Sequence, residues 1–97
     1  MQRTAAVFDL RREVYIDFVR ANTQACRAQG QDPADVESTV LEVLHQLALV
    51  EFIASSELLE PAEDFANAVM SGEACADLDS LTGYYNDFVI TARAESQ

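Results

Sequence analysis

Glycine and proline are scarce in this chain, three and two among 97 residues. That excludes a collagen-like or low-complexity chain and leaves little material for a phosphate-cradling loop. GxGxxG, Walker, HExxH and EF-hand patterns are absent as well, so neither a cofactor nor an enzymatic activity is expected. Histidine occurs once: His45 has Ser38, Leu41, Glu42 and Leu49 at helical spacing. These make neither a metal set nor a nucleophile with its base, and a structural or surface role is expected. The two cysteines, Cys26 and Cys75, form no CxxC pair and have no histidine at ligand spacing. They read as free thiols, with neither metal nor disulfide expected to support folding.

An uninterrupted apolar run of about 18 residues is missing, as is an initial charged segment leading into a short apolar one. A cytoplasmic protein without membrane contact is expected. Positive charge is short too, with six basic residues, all Arg, against 17 acids and a net charge of -11. Nucleic acid and anionic lipid would repel such a chain, so direct binding to either is not expected. The charge is uneven. Five of the six arginines precede residue 28, where Asp9, Glu13 and Asp17 oppose them, while the other 14 acids face Arg93 alone.

What is present is the content of a folded globule, 49% hydrophobic and 24% charged residues in a length that suits one domain, 1–97. Val7, Val14, Phe18, Ala21 and Ala25 recur on one helix face, with Phe8, Tyr15, Val19 and Cys26 on an adjoining stripe. A long first helix is predicted from the N-cap Thr4 to Gln29, with Gly30 as its stop. Arg11 falls within the apolar face and Ile16 points away from it; either Arg11 snorkels and Ile16 is a stray exposed residue, or Ile16 meets a partner chain.

Asp32 before Pro33, with Asp35 and Glu37 in the first turn, marks the start of a second helix, because cap, proline geometry and macrodipole agree. Val36, Val40, Val43, Leu44, Leu47 and Ala54 form its predicted inner face. From Leu47 to Ala54 apolar residues cover nearly the whole circumference with Glu51 the only charge, so cover is needed on more than one side, from a partner or from the chain's own core. SSELLEP reads as a turn, with Pro61 opening a short third helix over Phe65, Val69 and Met70, stopped by Ser71-Gly72. A fourth helix is predicted over Glu73 to Arg93 through Leu78, Leu81, Tyr85, Phe88, Val89 and Ala92, with a break at Asp79 or Ser80. Period-two alternation is absent. The fold class read is all-α, three to four helices, long amphipathic ones packed antiparallel, in a dimer.

Candidate residues for a partner or dimer interface are Ile16, Leu49, Phe52, Ile53, Tyr84 and Ile90. Leu49, Phe52 and Ile53 add an apolar flank to a helix whose inner face is already complete. Of the adjacent Tyr84 and Tyr85 one faces the core, and Tyr84 is read as the more exposed. Glu57, Glu60, Glu63, Asp64, Glu73, Asp77 and Asp79 read as capping or solvated acids.

The helix AAVFDLRREVYIDFVRANTQ (Ala5 to Gln24), the apolar segment LEVLHQLALVEFIAS (Leu41 to Ser55), and the size and charge of the chain resemble the small, acidic, all-helical anti-activators of bacterial quorum sensing. The resemblance implies a homodimer that docks on the ligand-binding domain of a LuxR-type transcriptional regulator, blocking its dimerisation and DNA binding. A second class is an acidic DNA mimic that fills the basic cleft of a nucleic-acid-binding protein; a third is a small enzyme or ligand carrier.

Overall fold

The computed structural model describes residues 2–30 and 32–96, with side chains described for 10–30 and 32–95. Among them there are four helices and no strand: α1 (Gln2–Ala28), α2 (Pro33–Ile53), α3 (Ser56–Ser71) and α4 (Leu78–Ser96). Thr4 lies inside α1 rather than capping it, and Val7 and Phe8 fall outside the described side chains. Of the expected α1 face, Phe18, Ala21 and Ala25 are buried and Val14 is half-buried, while Tyr15 of the adjoining stripe is buried too, and Asn22 is buried with them. Its side-chain N–H donates to the Phe18 carbonyl at 2.9 Å, one turn back, while its Oδ1 is buried without a hydrogen-bond partner among the described residues.

Local chemistry sets the connections. Gly30, at φ 89°, takes the left-handed conformation that ends α1 without a Cβ penalty. Two residues on, the Asp32 carboxylate accepts from the Ala34 N–H at 2.9 Å, and Pro33 occupies the first helical position of α2. Gly72, at φ 87°, ends α3 in the same way. The start of α3 corrects the sequence reading: SSELLEP is helical from Ser56, and Pro61 lies within the helix. As the sixth residue of the helix, Pro61 lies beyond the unpartnered donors of the first turn, so it costs the bond that an N–H there would make to the Glu57 carbonyl. Complete burial of Leu58, one turn before Pro61, rewards the earlier start. α4 begins later than its pattern suggested, at Leu78, because the Asp77 carboxylate accepts the Ser80 N–H at 2.7 Å. Asp77, rather than Asp79 or Ser80, is the cap.

α3 is the central element. Leu58, Ala62, Phe65, Ala66 and Val69 are wholly buried, at the spacing of one broad helix face. Phe65 meets Phe18 of α1 and Phe88 of α4, with ring centroids 5.9 and 6.4 Å away, and Phe18 and Phe88 lie 5.0 Å apart. These three rings join three helices. α2 packs on α1 and α3 but not on α4, and sends Val43 and Val50 into the core. The molecule is elongated, 46 × 25 × 17 Å.

The cysteines are not free thiols: Cys26 and Cys75 form a disulfide with Cα atoms 5.2 Å apart. Distance along the chain carried no information about distance in space, which alone decides whether two cysteines can pair. The bond ties the last turn of α1 to the α3–α4 connection and closes a loop of 49 residues. A loop of that length corresponds to about 4 kcal/mol of unfolded-state entropy, so the expectation that no disulfide supports folding is overturned.

Candidate functional site

α2 has two apolar faces and one layer to bury. Val43 and Val50, seven residues apart, point into the core, and Val36, Val40 and Leu47 lie half-buried beside them. At 100° per residue the opposite side carries Leu41, Leu44, Ala48 and Phe52. All four are exposed, Phe52 at 86%. Leu44 was expected on the inner face, but a helix centred on Val43 and Val50 turns its neighbour sideways to solvent. The flanks of the stripe hold exposed acids, Glu37 and Glu51 on one side and Glu42 on the other, and α2 contains no Lys or Arg. His45 is exposed on the same side. The stripe is therefore an apolar ridge with an anionic rim, able to bury itself against a partner.

The sequence-derived candidates divide. Phe52 is the most exposed large apolar side chain of the described residues, while Leu49 and Ile53 beside it are half-buried, Ile53 being packed against the core. Ile16 on α1 and Ile90 on α4 are exposed, at 47% and 67%. Ile90 sits on an element that does not pack against α2, so it is not gathered with Phe52. Tyr84 packs against the core and Tyr85 is the exposed one, the reverse of the expected assignment. Leu41 was missed as a site residue. The signal was in the wheel: Leu41, Ala48 and Phe52 fall within about 20° of one line opposite Val50.

A polar cluster ties the two ends of the chain together. The Tyr15 hydroxyl donates to Glu95, the Ser55 N–H donates to the other Glu95 oxygen at 2.8 Å, and the Arg11 guanidinium lies 3.7 Å from the carboxylate. Burial opposes ionisation of Glu95, but hydrogen bonds from Ser55 and Tyr15 and the charge of Arg11 outweigh it, holding this carboxyl below its usual value. Burial first, then Glu95, pushes the Tyr15 phenol up. Arg11, placed by the sequence on an apolar face, is accounted for by this ion pair. The cluster has the character of a structural clasp joining α1, the α2–α3 junction and α4.

No group of three or more potential metal ligands exists among the described residues. One cleft of about 160 Å³, lined by Val19, Thr23, Phe65, Leu81, Thr82 and Tyr85, carries no charged group. It is smaller than the roughly 300 to 1,000 Å³ usual for small-molecule sites. Among the described residues no helix is long and apolar enough to cross a membrane. Comparison with known proteins adds no relative: no family model, no curated protein and no solved structure matches the chain.

Proposed function

We propose that this chain is a protein-binding module, an anti-activator of the QslA type. It docks on the ligand-binding domain of a LuxR-type quorum-sensing regulator and blocks that regulator's dimerisation and DNA binding. The observation that carries the reading is Phe52, 86% exposed on a helix whose other face already fills the core. An isolated exposed apolar residue needs no partner, but a stripe of Leu41, Leu44, Ala48 and Phe52 loses contact with water only by docking. Occupying a dimerisation surface requires burying the same patch that the second regulator subunit would bury, which calls for an apolar ridge. Such a target places the protein in the cytoplasm, and catalysis and cofactors have no part in the reading.

The chain is further read as a homodimer with its long helices antiparallel. Two α2 stripes facing each other would bring Glu37, Glu42 and Glu51 of both copies together, so self-association falls to the exposed apolar residues elsewhere, Ile16 and Ile90. Light scattering checks this: a particle of twice 10.7 kDa is expected, and a monomer at micromolar concentration contradicts it.

One observation favours the DNA-mimic reading as a second choice: α2 and α3 together carry eight acids and no Lys or Arg. A gel-shift assay with regulator and promoter DNA separates the two. On the first reading Phe52→Asp abolishes inhibition, reversal of Glu63 and Asp64 does little, and binding survives added salt. On the second the reversal abolishes inhibition and salt weakens binding steeply.

A further inference from the structure

The Cys26–Cys75 disulfide holds a segment that little else holds. Between Cys75 and Phe88 no residue is fully buried: Leu78 is 75% exposed, Thr82, Gly83 and Tyr85 are exposed, and only the half-buried Leu81 and Tyr84 pack against the core. Gly83 further weakens the helix at that point. Anchorage at the start of the segment comes from the disulfide and from Ala74, which is wholly buried and donates its N–H to the Ala68 carbonyl at 3.0 Å. The other end is fixed by Phe88, in contact with Phe18 and Phe65, and by the Tyr15–Glu95 clasp. Leu81, Thr82 and Tyr85 form the α4 wall of the 160 Å³ cleft, over Val19 of α1 and Phe65 of α3. Both cysteines are half-buried rather than sealed in the core, so a small thiol has a route to the bond.

We propose that Cys26–Cys75 is a redox latch, whose reduction by a dithiol in the folded chain releases residues 75–84 and opens the cleft over Val19 and Phe65. A dithiol thiolate attacks one sulfur, the Cys26–Cys75 bond breaks to a mixed disulfide, and the displaced thiolate takes a proton. The second thiol of the reductant then displaces the other cysteine. The reductant leaves as a cyclic disulfide, two electrons oxidised, and the protein gains two thiols. In a reducing cytoplasm this step sets the state of the chain, since cytosolic disulfides are characteristically transient or redox-sensing. Only that choice of compartment rests on the proposed function.

The test needs no partner, so its failure is distinct from failure of the anti-activator reading. The whole chain is treated with millimolar dithiothreitol without denaturant, and the freed thiols are counted by alkylation and mass. Amide exchange is then followed segment by segment, with the Cys26→Ser, Cys75→Ser double variant as a second route to the open state. The expected result is two alkylated thiols, retained helical circular dichroism, and exchange of 75–84 within about threefold of an unstructured peptide. Amides of α1 and α3 keep protection of about a hundredfold or more. A bond that resists dithiothreitol until urea is added overturns the proposal. So does a reduced chain and double variant that both unfold throughout, or in which 75–84 stays as protected as α3.

Discussion

α3 and α2 are neighbours with opposite economies of burial. α3 carries four acids in 16 residues, yet Leu58, Ala62, Phe65, Ala66 and Val69 are all wholly buried. α2 is the more apolar helix, yet it buries Val43 and Val50 and leaves Leu41, Leu44 and Phe52 in solvent. Apolar content thus does not locate the core. Arrangement does: α3 concentrates its apolar residues on one face, whereas α2 spreads them around its circumference, and an edge helix has one side to give to the fold. What α2 holds in surplus is available for binding, and that difference can be broken or sharpened by substitution.

The largest effect is expected at the centre of α3. Phe65→Ala removes the ring that links Phe18 and Phe88 and should lower stability by about 3 to 5 kcal/mol, measured by urea unfolding. Next comes the staple: the Cys26→Ser, Cys75→Ser double variant should lose about 2 to 4 kcal/mol in the same measurement. Third is the clasp. Tyr15→Phe deletes the hydroxyl bonded to Glu95 and should cost about 1.5 kcal/mol near neutral pH, since a hydrogen bond to a charged group is lost.

The clasp also has a pH signature. The Glu95 carboxyl is held below its usual value, so its contribution is full above the ordinary unfolded value of about 4.3 and fades as pH falls below it. The Tyr15 phenol is raised, so its contribution is full below about pH 10 and fades as pH rises beyond that. Unfolding curves across both ranges should show the two losses, and Tyr15→Phe should flatten the alkaline one. The smallest effect is expected on the exposed face of α2: Phe52→Asp should lower stability by no more than about 1 kcal/mol, the cost of a carboxylate in the last turn of a helix.

The helix boundaries that were legible in the sequence are those with a local chemical cause. Asp32-Pro33, Gly30 and Gly72 act through a cap or a left-handed turn within a few residues, and each does what its residue type dictates. Pro61 misled because its usual place at a helix start was outvoted by Leu58, whose burial depends on helices distant in sequence. The disulfide was invisible for the same reason. At Tyr84 and Tyr85 both residues fit a three-and-four spacing with Leu81 and Phe88, and only the direction of approach to α3 decides between them. The site was half legible: all-round apolarity flagged Phe52, but the full stripe required knowing that Val43 and Val50 define the inward direction.

The central claim is that the α2 ridge is a docking surface without a structural duty, and it is tested most directly by one calorimetric titration. A LuxR-type ligand-binding domain is titrated with the wild-type chain and with Phe52→Asp, each first shown to be folded. The account predicts a complex with the wild type and an affinity at least about thirtyfold weaker for the variant, because a carboxylate cannot enter a desolvated apolar contact without a partner. Equal affinities for the two chains, or no complex with the wild type, would contradict it.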